Sequence, residues 1–195
     1  MNINRIGTMS TNRAGPLKRQ IRNRILLQLQ RQKEEDRKRK SNVIKRKLFR
    51  MNAFKDARVV MFYIALKGEV DTLEMIKAAQ RLGKMIVVPV CRKDRIKIRP
   101  CILDHRVPLK KGPYGVLEPA IERPVAARDV DLVLVPGVAF DTDGRRLGRG
   151  KGFYDRFLHT LTRQTTFIGM AFDFQVLPHV PAEDHDVAMH RVLAA

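Results

Sequence analysis

The sequence predicts an α/β chain: a doubly wound, mostly parallel sheet with helices on both faces, forming a single domain. Three observations carry this expectation. Short apolar, β-branched runs recur at 58–64, 84–90, 132–135 and 166–171, the pattern of strands buried on both faces. Segments with helical periodicity lie before and between them. The 132–135 run then opens onto a glycine-rich loop and a helix, at the strand end where open α/β sheets hold ligands.

In chain order, residues 1–15 lack periodicity and are expected to form a flexible tail, with residues 16–195 as the domain. Arg5, Arg13 and the absence of acids fit a leader; residues upstream of a start at Met9, or an added segment, fit equally well. From Pro16, Leu17, Ile21, Ile25 and Leu29 recur every fourth residue, so Lys18 and Arg22 share one helix face. Ser41 is expected to cap a second helix containing Val43, Ile44, Leu48 and Phe49. After the 58–64 strand, Asp71 or Thr72 caps a helix over 73–82, leaving Glu69 just past a strand end. Residues 95–99 alternate like an antiparallel edge strand, and 112–119 is turn-rich.

The 195 residues suffice for one domain with its own core. No apolar run is long enough to cross a bilayer and no secretory signal is evident, so a soluble, cytoplasmic enzyme is expected. Cys91 and Cys101 lack metal-ligand spacing and read as small, reduced hydrophobes. The net charge of +19 is unevenly placed: residues 1–58 hold 18 Lys/Arg against 4 acids, the remainder 21 against 16. Such a field attracts nucleotides, polyanionic substrates, RNA or anionic membranes.

The loop 144–152 carries Gly144, Gly148, Gly150 and Gly152 among Arg145, Arg146, Arg149 and Lys151, and the helix at Phe153 follows. Glycine lets backbone approach a ligand, a helix start points free N–H groups at it, and the cations favour an anion. Asp155, one turn after Lys151, is suited to a divalent metal beside bound phosphates. Walker A would need glycine at Arg145 and Ser or Thr at Gly152; the dinucleotide fingerprint would need glycine at Phe153. Neither motif is present, and a tight turn with solvated arginines is the plainer alternative. His179, His185, Asp186 and His190 lack zinc-site spacing, and Asp186 suits magnesium better. No nucleophile elbow is present.

The residues resemble the 5-formyltetrahydrofolate cyclo-ligase family, also called methenyltetrahydrofolate synthetases. Val135-Pro-Gly-Val-Ala-Phe-Asp141 with Arg146-Leu-Gly-Arg-Gly-Lys-Gly-Phe-Tyr-Asp-Arg156 is the strongest match. Lys18 with Arg22, Tyr63 through Glu69-Val-Asp-Thr72, Gly115-Val-Leu-Glu-Pro119, and Gln175 through Pro181 to His185-Asp186 follow in order. The resemblance covers about residues 17–193.

It implies closure of 5-formyltetrahydrofolate to 5,10-methenyltetrahydrofolate with ATP and magnesium, releasing ADP and phosphate through a phosphorylated formyl group. By position, Lys18, Arg22, Arg146, Leu147, Gly148, Arg149, Gly150, Lys151 and Gly152 contact ATP; Arg149 and Lys151 are the expected catalytic cations. Ile64, Glu69 and Arg149 through Phe153 contact the folate, and Asp155 and Asp186 bind magnesium. A monomer is expected, and surplus positive charge favours a polyglutamylated substrate. Phe153 stands where the family often has tyrosine, keeping the ring without its hydroxyl, and His190 near where an acid is common. The alternatives are a basic RNA-binding or regulatory protein on the same scaffold, motivated by the charged N-terminal segment, and a sugar-phosphate or acyl-CoA enzyme on a related fold.

Overall fold

The computed structural model describes residues 14–92 and 97–195. The expected tail with Arg5, Met9 and Arg13, and the start of the expected 95–99 strand, lie outside the described residues. Helices α1 (Ala14–Arg31), α2 (Glu34–Arg50) and α3 (Asn52–Asp56) precede β1 (Val59–Met61). Then come α4 (Leu73–Arg81), β2 (Met85–Arg92), β3 (Lys97–Ile102) and a hairpin of β4 (Leu109–Lys111) with β5 (Leu117–Pro119). The second half contains β6 (Leu132–Val135), β7 (Ala139–Asp141), β8 (Arg146–Leu147), α5 (Phe153–Leu158), β9 (Thr166–Ala171), β10 (Val176–Leu177) and β11 (Arg191–Ala194).

Six strands form the main sheet in the order β11-β9-β6-β1-β2-β3. Every pairing in it is parallel except β2 with β3, which is the expected antiparallel edge. Side chains alternate across it: Val60, Leu132, Leu134, Ile168 and Met170 pack under α1 to α4. Met61, Val133, Val135, Phe167 and Ala171 face Phe157 and Leu158 of α5. Both faces are thus covered, which is why β6 is apolar at all four positions. Chain order diverges between β1 and β6, and a crevice opens at the strand ends where the connections part.

Three differences from the sequence reading have local causes. α2 starts at Glu34, where three acids in its first turn suit the positive end of the helix dipole. Ser41 is therefore no cap; it is buried inside α2, donating to the Arg37 carbonyl at 2.7 Å and accepting from the Asp71 N–H at 3.0 Å. β1 ends at Met61, because Tyr63 turns its carbonyl to the Thr72 hydroxyl, 2.6 Å away. That leaves Asp71, whose carboxylate accepts the Leu73 N–H at 3.0 Å, to hold the start of α4. The apolar spacing of Phe153, Tyr154, Phe157, Leu158 and Leu161 would continue a helix to 161. α5 instead stops at Leu158, its end tightened by Thr160 bonding back to the Phe157 carbonyl through both N–H and hydroxyl.

The second, small sheet of β10, β7 and β8 carries the glycine loop. Asp141 is buried at its end and accepts N–H groups from Asp143 at 3.1 Å, Arg145 at 2.9 Å and Val180 at 2.9 Å. Gly144 takes φ +82, and its carbonyl accepts the Met189 N–H at 2.7 Å. A Cβ at Gly144 would run into the Met189 carbonyl. One carboxylate and one glycine therefore lock the loop after β7 to the segment 180–189 that carries Asp186. Gly144→Ala combines a disfavoured φ with a backbone clash and should cost about 2–3 kcal/mol. A thermal melt should show Tm lower by about 5–10 °C; an unchanged Tm would contradict this packing.

Candidate active site

A cleft of about 650 Å³ lies at the C-terminal ends of β1, β2 and β6. Lys18 and Arg22 reach it from α1, Ile64 and Glu69 from the loop after β1, and residues 146–153 from the glycine loop. Asp155 enters from α5 and Asp186 from the C-terminal segment. The residues matched to nucleotide, folate and magnesium all border this one space; Arg145, also expected among the loop cations, does not, since it turns to Asp143 and Asp141 instead.

Their charges are already partnered. Lys18 Nζ lies 3.0 Å from Glu183 Oε1 and 2.9 Å from Asp186 Oδ2, and is itself buried. Arg146 Nη2 donates to Asp155 Oδ1 at 2.6 Å, and its Nη1 to the Pro136 carbonyl at 3.2 Å. Arg149 Nη2 donates to Glu69 Oε1 at 2.8 Å, and Glu69 Oε2 accepts the Leu66 N–H at 2.9 Å. Arg22 Nε donates to the Gly148 carbonyl at 2.9 Å, tying α1 to the glycine loop. Lys151 is exposed and has no ion-pair partner among the described residues.

The loop's backbone follows from its glycines. Gly152 sits at φ +64 immediately before α5, a left-handed turn that delivers the chain into the helix. At Gly148 the constraint is space: a Cβ there would lie 3.0 Å from Arg146 Nη1. The inner wall is less polar, formed by Tyr63, Ile64, Pro89, Cys91, Ile98 and Tyr154. At the mouth the rings of Tyr114 and Phe153 meet edge to face, centroids 5.6 Å apart. Tyr114 holds φ 62, the left-handed region, at the tip between β4 and β5.

This arrangement accepts anions and one hard cation more readily than it supports a nucleophile. Burial pushes the Cys91 thiol up to about 11, so it is not a thiolate near neutrality. Burial also holds the Tyr63 and Tyr154 phenols well above their usual range, leaving both as neutral donors. Two donors in the cleft are buried without an acceptor, Arg146 Nε and Tyr154 Oη, the condition expected where a ligand supplies the missing oxygen or nitrogen. Among the described residues no group of three His, Cys, Asp or Glu is arranged to hold a metal. Two carboxylates, Asp155 and Asp186, suit magnesium that takes its other ligands from phosphates and water; the weighed site at His179, His185 and His190 does not form.

The sequence pattern of the 5-formyltetrahydrofolate cyclo-ligase family matches residues 14–195. The chain belongs to this family. A 5-formyltetrahydrofolate cyclo-ligase of Mus musculus is 28% identical over 188 residues, covering 90% of this chain and 92% of that one. One of Mycolicibacterium smegmatis is 34% identical over 148 residues, covering 70% and 73%. The structure of Aquifex aeolicus 5,10-methenyltetrahydrofolate synthetase superposes with a TM-score of 0.80 at 31% identity, over 91% of this chain and 89% of that one. A Mycoplasma pneumoniae synthetase, at 24% identity and TM-score 0.74 over 90% and 97%, shares the fold. The cyclo-ligase chain is therefore an enzyme of the ligase class, and no helix among its described residues is long and apolar enough to cross a membrane.

Within this cyclo-ligase cleft, sequence reasoning missed Glu183, Tyr114, Tyr154 and Cys91 as bordering residues. Glu183 carried no signal beyond lying three residues from Asp186. Tyr154 stood inside the strongest motif, and its burial beside Arg146, whose guanidinium lies 5.7 Å from the ring centroid, is a tertiary fact.

Burial opposes both charges of the Lys18–Asp186 pair, yet mutual hydrogen bonding wins. Burial alone would raise the Asp186 carboxyl; Lys18 and the Glu183 N–H hold it below the usual range. Burial alone would lower Lys18; Asp186 and Glu183 hold it above its ordinary value. A depressed carboxyl stabilises the fold above its unfolded pKa and loses that contribution as pH falls through the folded one, here below about 4. Lys18 contributes below about 10.4 and its contribution fades as pH rises past its folded value. Lys18→Met should cost about 1–3 kcal/mol near neutrality, and because Asp186 is then no longer held below its ordinary range, the gap between variant and parent should close as pH falls below about 4. Urea midpoints measured from pH 2.5 to 7 test this; a gap that stays constant across the range would refute the coupling.

Proposed function

We propose that the protein uses ATP and magnesium to close 5-formyltetrahydrofolate to 5,10-methenyltetrahydrofolate, with release of ADP and phosphate. The observation that carries this is the convergence of the loop cations, two carboxylates and Glu69 on one cleft, in a chain of the cyclo-ligase family. Phosphoryl transfer asks a protein for positioning and charge neutralisation rather than for a nucleophile, and the cleft offers cations and buried donors.

The formyl oxygen attacks the γ-phosphorus of ATP and ADP departs. The second folate nitrogen then bonds to the activated carbon, phosphate leaves with the former formyl oxygen, and that nitrogen loses its proton. Lys18, Arg22, Arg146 and the backbone from Leu147 to Gly152 hold the triphosphate. Arg149 and Lys151 neutralise charge on the transferring phosphoryl group. Asp155 and Asp186 hold magnesium, which supplies charge neutralisation at the phosphates when bound. Glu69 orients the pterin end, while Ile64 and Phe153 pack against its flat surface. Tyr63 and Tyr154, as neutral phenols, exclude water from that end. The surplus positive charge of the chain around the site favours a substrate with a polyglutamate tail.

Incubation with 5-formyltetrahydrofolate, ATP and magnesium should produce the near-ultraviolet absorbance of the methenyl product, and chelation of the metal should stop it until magnesium is restored. Arg149→Met and Lys151→Met should each lower kcat by about 10²–10³-fold, the usual loss of one charge-stabilising group. Absence of product from the parent protein with all three components would sink the assignment; full activity in both variants would sink the residue roles.

A further inference from the structure

We propose that the end of the molecule opposite the cleft carries a second anion site, a groove between the last turns of α2 and the β11 edge that binds a linear phosphate chain, as single-stranded RNA presents it. The groove has a volume of about 770 Å³, and Arg46, Lys47, Arg50 and Arg191 line it. α2 fixes its position. Arg37, in the first turns, donates to the Glu69 carbonyl at 3.0 Å and pairs with Asp71 at 3.2 Å, beside the cleft. The helix then runs to the other end of the sheet, where α3 leads into β1 and Arg191 begins β11.

The groove's charge is unbalanced where the cleft's is not. Past its acidic first turn, residues 37–50 of α2 hold eight Lys/Arg and no acid. Arg37 and Arg39 pair with acids, and Lys40 and Lys45 lie over phenylalanine rings. Arg46, Arg50 and Arg191 have no hydrogen-bond or ion-pair partner among the described residues. Lys47 Nζ donates to the Ala194 carbonyl at 2.6 Å, which draws the helix end against β11. The negative end of the α2 dipole accounts for part of Lys47 and Arg50. It does not account for Arg191, which comes from a different element to the same groove.

Like charges one helical turn apart repel, and Arg46 and Arg50 stand about 6 Å apart along the axis. A chain of phosphates relieves that repulsion at several points, which a single small anion cannot. The concave shape favours a strand over a flat lipid surface, and no aromatic side chain lines the groove for insertion or base stacking. Binding is therefore expected to be independent of base sequence and set by counterion release.

The test is fluorescence anisotropy of a labelled 20-nucleotide oligouridylate titrated with the full chain across a salt series. The logarithm of affinity should fall linearly with the logarithm of salt. The triple variant Arg46→Gln, Arg50→Gln, Arg191→Gln should bind at least tenfold more weakly at low salt. Its slope should be shallower by about 2, since each lost phosphate contact in a single strand removes about 0.7. Its melting temperature and turnover should match the parent's. Inorganic polyphosphate of matched charge should compete, and saturating magnesium-ATP should not. Undiminished binding by the variant, failure of polyphosphate to compete, or displacement by ATP would overturn the proposal. So would capture of phosphatidylserine vesicles with no RNA binding. The readout requires no turnover, so it is independent of the reaction assigned to the cleft.

Discussion

The cleft depends on opposite charges that face each other across it before any ligand arrives. Glu69 faces Arg149, Asp155 faces Arg146, and Asp186 with Glu183 faces Lys18. Several of these groups are largely withdrawn from water, Arg146 and Lys18 with only 4% and 8% of their side chains exposed. Removing one partner from such a pair leaves a charge that solvent cannot reach, costing several kcal/mol where burial is complete and less at this partial exposure. A phosphate that takes Lys18 or Arg146 must therefore be accompanied by a cation for Asp186 or Asp155. On the proposed reading, these pairs would couple the binding of nucleotide and metal through electrostatics.

The fold makes such pairing possible by bringing distant segments to one crevice. Lys18 and Asp186 are 168 residues apart in sequence, Arg149 and Glu69 80 apart. α1 lies across the strand ends and is fastened to the glycine loop by Arg22 on the Gly148 carbonyl. The C-terminal segment is fastened by Asp141 on the Val180 N–H and by Gly144 on Met189. Gln175 holds the end of β6 by donating to the Gly137 and Val138 carbonyls at 2.9 and 3.1 Å. Of these fastening groups only Arg22 is also a charged wall of the cleft; Asp141, Gly144 and Gln175 stand outside it. They set its width, and small displacements of positioned groups cost large factors in rate.

How much of this was legible depends on whether the information is local. β6 and β9 match the sequence reading residue for residue, because strands buried on both faces have no polar register to blur them. The β3 edge was legible from alternation. Ser41 misled because a serine before an apolar stretch resembles a cap, while the true start of α2 lay among acids that are equally at home in a solvated turn. The short strands β7, β8, β10 and β11 were missed, since two to four residues leave too little periodicity to detect. The candidate site residues were legible through motif spacing. Their pairing was not, because nothing local says that a lysine in the first helix meets an aspartate near the chain's end.

Charge bookkeeping separates two functions that the sequence had merged. A net charge of +19 suggests a strongly cationic binding site, yet the cleft sets Lys18, Arg22, Arg146, Arg149 and Lys151 against Glu69, Asp155, Glu183 and Asp186. That is near neutrality, so the excess resides elsewhere, much of it on the outer faces of α1 and α2. A cleft with its own acids can hold a metal and release a charged product, because each departing anion is replaced by an internal carboxylate. A surface without acids has no such replacement and retains polyanions until salt displaces them. On the two proposed readings, the same composition would serve turnover at one end of the sheet and retention at the other, with the distribution of carboxylates, rather than of lysines and arginines, deciding which.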